Sequence, residues 1–118
     1  CYINKNCLFD AIGPIHVGGR VSIGLNVSFI NSSHQKDLDE KGRRALIVPP
    51  PIVVEDHVWI ATNVTVLPGV RIGAGSIVAA GSVVTKDIPP NCLAAGIPAK
   101  VVRQLTPEDE QMKAVGCL

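Results

Sequence analysis

The chain has 118 residues, enough for one domain, and its 11 basic and 10 acidic residues leave a formal net charge of +1. That balance gives no electrostatic reason to bind nucleic acid or an acidic membrane, and no apolar run approaches the roughly 20 residues of a membrane-spanning helix. Aromatic residues make up only 3% of the chain against 47% hydrophobic residues, so the core must be aliphatic. This disfavours an aromatic-rich sandwich or barrel and a binder of single-stranded nucleic acid.

The first predicted element is a set of short strands in the N-terminal third, where apolar or small residues recur every six positions. Val17, Ile23 and Phe29 form one series, and a second series contains Val21, Val27 and Ser33. Six residues is neither the period of a helix nor an alternation sustained along one strand. A short strand followed by a tight turn satisfies it.

The period breaks over residues 35–51, where a charged stretch is followed by three prolines. We expect a long loop that leaves one corner of the fold and rejoins it at Ile52. Loops of this length inside a compact domain are usually functional.

The spacing resumes after the loop. Six-residue steps from Val54 meet only Val or Ile, namely Ile60, Val66, Ile72, Val78 and Val84. Three strand–turn units make one triangular coil of 18 residues, and coils stack as parallel strands about 4.8 Å apart. The sequence therefore predicts an all-β parallel β-helix. Residues 18 apart should share a column, and one outward column of Trp59, Ile77 and Ala95 is apolar enough to suit a subunit contact.

A second break follows Val102. Thr106 is a suitable N-cap, Pro107 a suitable first helical residue, and acidic residues follow at once. These signals predict a short α-helix over about 107–115 that covers the exposed edge of the last coil. We divide the chain into a β-helix domain at 1–102, with its external loop, and a C-terminal linker and capping helix at 103–118.

Histidines and cysteines are the candidates for chemistry. The cysteines lack zinc-binding spacing and are interpreted as reduced thiols of a cytoplasmic protein: Cys1, Cys7, Cys92 and Cys117.

His16 and His34, 18 residues apart, are expected to stack in one outward column. The histidine spacing does not match that of trimeric β-helical zinc carbonic anhydrases, and we predict no metal site. His34 stands where a coil meets the long loop, so it is either a general base at a cleft wall or an ordinary surface histidine.

Four segments resemble the maltose and galactoside O-acetyltransferase branch of the hexapeptide-repeat acyltransferases. They are VWI at 58–60, LPGV at 67–70, AGSVVTKDIPPN at 80–91 and AGIPAKVV at 95–102. The resemblance runs from Ile15 to Arg103 and implies a left-handed β-helix, although parallel crossovers are generally right-handed. Because the chain begins at Cys1, already inside patterned sequence, we expect it to be part of a longer polypeptide with a further N-terminal segment.

The resemblance implies direct transfer of an acetyl group from acetyl-CoA to a sugar hydroxyl, with His34 as the catalytic base. The family histidine is normally followed by Pro, whereas Gln35 follows here. Family positions that contact the coenzyme fall on Thr62, Ala80, Thr85, Lys86, Lys100 and Arg103, and acceptor-binding positions fall on Asn4 and Asp10. Thr62 and Ala80 are 18 residues apart, so they should stack and leave a groove for the pantetheine arm. Lys86 and Arg103 are expected to meet the nucleotide phosphates.

The resemblance also implies a cytoplasmic homotrimer with active sites between neighbouring subunits and without metal, nucleic-acid or membrane partners. Two alternatives remain open. One is acetylation of an amino sugar or a xenobiotic with the same base. The other is a non-catalytic β-helix scaffold, although an ice-binding surface would need repeated threonine columns that the sequence lacks.

Overall fold

The structure, a computed structural model, describes residues 1–109, and nearly all of their regular elements are short β-strands. From Tyr2 to Val84, apart from one hairpin, consecutive strands visit three sheets in rotation. Sheet A contains β1 (Tyr2–Ile3), β4 (Ser22–Ile23), β9 (Trp59–Ile60), β12 (Ile77–Val78), β14 (Cys92–Gly96) and β15 (Ala99–Gln104). Sheet B contains β2 (Leu8–Asp10), β5 (Ser28–Ile30), β10 (Thr65–Val66) and β13 (Val83–Val84). Sheet C contains β3 (Ile15–Val17), β8 (Ile52–Val54) and β11 (Arg71–Ile72).

The strand register confirms the six-residue repeat. Within sheets A, B and C neighbouring strands are parallel, apart from the antiparallel β14–β15 pair. Ile60 pairs with Val78, and Val66 pairs with Val84, each 18 residues on. The predicted coil is therefore one passage through the three sheets.

The inward-facing side chains of the three sheets form one aliphatic core. Its fully buried members are Val21, Ile23, Val27, Phe29, Ile52, Val54, Val58, Ile60, Val64, Val66, Val70, Ile72, Val78, Val84, Cys92 and Ala94. Both predicted series of apolar residues contribute to this core. The ring of Phe29 stacks on that of Phe9 in the coil before, with centroids 4.9 Å apart.

The turns between sheets explain the small and polar residues of the repeat. At the corner between sheets A and B, the second turn residue has a positive φ in four successive coils, at Asn6, Asn26, Asn63 and Gly81. The corner between sheets C and A repeats the pattern at Arg20, His57, Gly75 and Asn91. This left-handed conformation favours Gly and is tolerated by Asn.

Two predicted columns are wrong because the coils differ in length. Ile77 does pair with Trp59, but its next neighbour is Leu93 rather than Ala95, since the fourth coil is two residues shorter than 18. His16 and His34 do not stack. His16 pairs with Val53 in sheet C, whereas His34 has already left the coil in the external loop.

The loop and the C-terminal region largely follow the sequence. The chain leaves the coils before residue 35, the predicted start of the loop, because β6 (Ser33–His34) already pairs with β7 (Leu46–Ile47) in a hairpin. The coil resumes at Ile52 with β8, as predicted. The last coil strand, β14, is covered by β15, which runs antiparallel to it and extends to Gln104, two residues past the predicted boundary. A strand therefore covers the edge that the predicted helix was expected to cover. A helix begins at Pro107; the rest of the predicted 107–115 helix lies outside the described residues, as does Cys117.

Candidate active site

His34 lies at the root of the external loop, on the first strand of its hairpin. Its backbone pairs with Leu46, and the next residue continues the ladder, with Gln35 N donating to the carbonyl of Ala45 at 2.8 Å. The side chain is exposed, and no protein group within residues 1–109 hydrogen-bonds its imidazole. An exposed imidazole on a paired backbone is able to take a proton from an incoming hydroxyl.

The far end of this loop is closed by its own turn. Asp39 accepts hydrogen bonds from the backbone of Lys41 and Arg43 and from the Arg43 guanidinium. These contacts, led by the backbone bond from Arg43, lower the pKa of the Asp39 carboxyl. The loop is thus held by hydrogen bonds at both its tip and its root.

Asp10, a predicted acceptor-binding residue, lies beside the loop root. It ends β2, where it pairs with Ile30, and its Oδ2 accepts a hydrogen bond from the Ser32 hydroxyl at 2.7 Å. Ser32 is two residues before His34. The structure therefore brings the predicted base and Asp10 to the same corner, between sheets B and C.

Asn31 is a residue of this corner that the sequence analysis missed. Its side chain is fully buried and fully bonded: Nδ2 donates to the carbonyls of Pro14 at 2.8 Å and Pro50 at 3.1 Å, and Oδ1 accepts from Gly69 N at 3.1 Å. In the sequence it is an asparagine at a turn, a common surface residue, and no local signal marks its burial.

Thr62 and Ala80 lie at the corner between sheets A and B and stack as predicted. The strands that precede them pair in register, Ile60 with Val78, and Gly81 N donates to the Thr62 carbonyl at 3.0 Å. Ala80 is exposed and Thr62 is half-buried, so the ridge bears only small side chains on these two coils. Asn4 lies at the same corner on the first coil, and its Oδ1 accepts from Lys5 N at 2.8 Å.

Thr85 and Lys86 are exposed and lie at the other border of sheet B, immediately after β13. Thr85 is at the same register as Leu67, whose N donates to the Val84 carbonyl at 3.0 Å. Asp10 occupies the equivalent place on the first coil, three strand spacings or ~14 Å from Thr85. The corner that bears the loop root therefore also bears Thr85 and Lys86.

Lys100 and Arg103 lie apart from the others, on β15. Lys100 is exposed and pairs with Ala95, and Arg103 pairs with Leu93. The Arg103 guanidinium bonds to Asp109, whose carboxylate also accepts from Thr106 N at 2.8 Å. The bond from Arg103 is the main reason why the pKa of Asp109 lies far below its usual value, and the same bond raises the pKa of Arg103.

The predicted site residues thus lie along the two borders of sheet B and on β15, and they face outward. Other charged groups lie elsewhere: on sheet C a cavity of about 360 Å³ is lined by His16, Glu55 and Arg71 among others, with Arg71 paired to Glu55 at 2.6 Å. Within residues 1–109 no three His, Cys, Asp or Glu side chains are grouped so that they could hold a metal ion. No helix in that part of the chain is long and apolar enough to span a bilayer.

Comparisons with known proteins identify the family. Residues 51–86 match the model of the bacterial transferase hexapeptide (six repeats). The galactoside O-acetyltransferase of Escherichia coli K12 is 37% identical over 111 residues, which cover 92% of this chain and 53% of that protein. A solved galactoside acetyltransferase in complex with coenzyme A superposes with a TM-score of 0.82 at 36% identity, over 92% of this chain and 54% of that one.

A hexapeptide-repeat acetyltransferase of Vibrio cholerae, complexed with acetyl coenzyme A, gives a TM-score of 0.79 at 44% identity, over 88% of this chain and 56% of that one. A second structure of it matches at 33% identity with a TM-score of 0.66, and there this chain covers 72% of the solved chain and 86% of its own length. The chain spans about half the length of the curated relatives it matches. The repeat, the three parallel sheets and these similarities together establish that the chain belongs to the hexapeptide-repeat acyltransferase family.

Proposed function

We propose that the chain is the β-helical part of an acetyltransferase that moves the acetyl group of acetyl-CoA directly to a hydroxyl of a sugar of the maltose or galactoside type. The observation that carries the proposal is the placement of His34, an exposed imidazole on a loop root held beside Asp10. The similarity to acetyltransferases that bind acetyl-CoA or coenzyme A supports the choice of donor.

In this reaction His34 is the general base. The acceptor hydroxyl gives its proton to the imidazole while its oxygen bonds to the thioester carbonyl carbon. The resulting tetrahedral intermediate carries a negative charge on the former carbonyl oxygen, which backbone N–H groups or a hydroxyl in the cleft stabilise. The carbon–sulfur bond then breaks, the thiolate takes the proton from the imidazolium, and the acetyl ester and free coenzyme A leave. No cysteine or serine nucleophile is required.

The coenzyme lies along the outer surface of the coils. The pantetheine arm follows the ridge of small residues at Thr62 and Ala80, because a bulky side chain there would fill the groove. Thr85 lines the other border of sheet B, and Lys86, Lys100 and Arg103 meet the phosphates through charge-assisted hydrogen bonds. A guanidinium carries five N–H donors. Within residues 1–109, Nη1 of Arg103 donates to Asp109 and to the Gln104 carbonyl and Nη2 donates to Asp109, so the Nε–H and one Nη2–H are left for this contact.

On the acceptor side, the second carboxylate oxygen of Asp10 and the side-chain amide of Asn4 bind sugar hydroxyls. Asp10 is the better placed of the two, because its bond to Ser32 holds it at the corner that bears His34. Asn4 lies at the opposite border of sheet B, so its contact requires an acceptor or a neighbouring subunit that bridges the two borders.

We further propose that the coils wind as a left-handed parallel β-helix and that the protein is a cytoplasmic homotrimer with each site in the crease between two subunits. Most of the proposed residues lie along the outward borders of sheet B, and Lys100 and Arg103 lie on β15, so a second copy is needed to close a cleft around a substrate. Measurement of molar mass by light scattering tests the assembly, and a monomeric mass would contradict a site shared between subunits.

The experiment for the proposed function is an assay of thiol release from acetyl-CoA with a panel of sugars and amines. We expect His34→Ala to lower the rate at least ~100-fold, the scale of losing a general base. His16→Ala is the matched control, because His16 is also exposed but lies on sheet C. An unchanged rate in His34→Ala would show that His34 is not the general base. Failure of the protein to bind coenzyme A would favour a non-catalytic scaffold. Acetylation of amines alone identifies an amino-sugar or xenobiotic enzyme.

A further inference from the structure

Asn31 joins parts of the chain that are distant in sequence. Through its side chain it bonds to Pro14 in the first coil, to Pro50 at the far end of the external loop and to Gly69 in the third coil. Its own backbone is also held, with N donating to the Asp10 carbonyl at 2.8 Å and O accepting from Gly13 N at 2.7 Å. Every polar group of this fully buried residue is thus used.

The Asn31 side chain is closely packed against Gly13 and the end of the loop. A Cβ added to Gly13 would lie 2.6 Å from Asn31 Nδ2 and 2.7 Å from the Pro49 carbonyl oxygen. Proline cannot donate a backbone hydrogen bond, so within 49–51 the chain can be fastened only through its carbonyls. Asn31 Nδ2 binds one of these carbonyls, that of Pro50.

We infer that Asn31 is a positioning residue: it fastens both ends of the loop to the coils and thereby fixes where the His34 imidazole points. His34 is three residues after Asn31. Between them, the Ser32 hydroxyl donates a hydrogen bond to Asp10. A loop released at Pro50 would let the β6–β7 hairpin swing as a unit. The link to catalysis rests on the proposed function, whereas the anchoring of the loop does not.

The anchoring is tested by limited trypsin digestion of the 118-residue chain. The loop contains four tryptic sites, Lys36, Lys41, Arg43 and Arg44. Asn31→Asp keeps the volume and the acceptor for Gly69 N but replaces the donor group by oxygen opposite two carbonyls. We expect cleavage within the loop at least ~10-fold faster than in the wild type.

The matched control is Ser76→Ala. Ser76 is also fully buried and bonded, to the carbonyl of Pro89 at 2.6 Å and the N of Cys92 at 3.2 Å, but it lies far from the loop in sequence and in a different coil. It should lower the melting temperature without accelerating loop cleavage beyond what global unfolding explains. If both variants speed cleavage in proportion to their lost stability, or if neither does, the anchoring role is overturned. Should Asn31→Asp fail to fold, Asn31→Ser, which removes the amide donor with a smaller uncharged side chain, supplies the same comparison.

The positioning role is tested by steady-state kinetics of the same variants. Asn31→Asp should lower kcat for acetyl transfer at least ~10-fold with KM for acetyl-CoA within ~2-fold, because misplacement of a catalytic group affects the chemical step. A looser loop with unchanged kcat overturns the positioning role. An active His34→Ala variant overturns the proposed base and the positioning role together, and the digestion alone then decides whether Asn31 anchors the loop.

Discussion

Arg103 and Asp109 form a two-pronged ion pair that joins the last strand to the start of the C-terminal helix. Nη2 of Arg103 lies 2.6 Å from Oδ1 of Asp109, and Nη1 bonds to Oδ2. Asp109 also closes the helix start, because its carboxylate accepts from Thr106 N and its own N donates to the Thr106 hydroxyl at 3.3 Å. Arg103 therefore has a structural role in addition to the proposed phosphate contact.

The first prediction is that this attachment weakens in acid. The folded-state pKa of Asp109 lies below the ordinary value, so its contribution to stability is complete above about pH 4 and is lost as the pH falls toward the folded-state pKa. We expect hydrogen exchange in residues 99–109 to accelerate as the pH is lowered below about 4, after correction for the intrinsic rate. Asp109→Asn should show fast exchange already at pH 7, and its rates should differ little from the wild type in strong acid. Equal protection of the two proteins at pH 7 would contradict the role of the pair.

The second prediction concerns the groove proposed for the pantetheine arm. Ala80 is exposed at the corner between sheets A and B, so Ala80→Leu should fold normally and raise KM for acetyl-CoA at least ~10-fold by filling the groove. Ala74→Leu is the matched control, because Ala74 also precedes a glycine of positive φ, Gly75, but at the corner between sheets C and A. Equal effects of the two variants would place the coenzyme elsewhere.

The regular part of the fold was predictable because the repeat depends on local rules. Inward Val and Ile at six-residue intervals and Asn or Gly in the turns leave few alternatives, and the confirmed pairing of Ile60 with Val78 follows from counting alone. The counting fails where a coil gains or loses residues. No residue type marks the fourth coil as shorter, so Leu93 rather than Ala95 follows Ile77.

The candidate site was predictable only in part for a related reason. The stacking of Thr62 and Ala80 follows from the period, whereas the place of His34 depends on where the chain leaves the coil. A loop that departs after Ile30 removes His34 from any column with His16. The burial of Asn31 depends on contacts with Pro14, Pro50 and Gly69, which are 17 or more residues away in sequence.

The third prediction distinguishes the reasons for glycine at two positions of the coils, a lack of space at Gly73 and a positive φ at Gly81. A Cβ on Gly73 would lie 2.4 Å from the backbone N of Pro90, so Gly73→Ala should destabilise the fold by at least ~2 kcal/mol through a clash with main chain. Gly81 has a φ of +75°, but none of the atoms of residues 1–109 outside its immediate neighbours would lie within 4 Å of an added Cβ. Gly81→Asn places at this corner the residue type already found at Asn6, Asn26 and Asn63, and should change the stability by less than ~1 kcal/mol. Urea unfolding measures the stability of both variants. A large loss of stability in Gly81→Asn would show that the positive φ shared by this turn position does not explain why asparagine occurs there in the other coils.

The fourth prediction concerns Gln35, which follows the proposed base at a position where the resemblance leads us to expect a proline. Its backbone N donates to the Ala45 carbonyl at 2.8 Å, next to the pairing of His34 with Leu46, and a proline cannot make that bond. Gln35→Pro should therefore open the β6–β7 hairpin beside the imidazole, with loss of about 0.5–1.5 kcal/mol of local stability.

The control for this change is Gln35→Ala, which keeps the N–H. We expect trypsin to cut the loop several-fold faster in Gln35→Pro than in Gln35→Ala, since local opening exposes the sites after Lys36 and Lys41. Nuclear magnetic resonance of the His34 ring should show a shifted environment in the proline variant only. Identical cleavage rates in the two variants would mean that the backbone bond does not hold the hairpin, and that the difference between Gln and Pro after the histidine acts through the side chain instead.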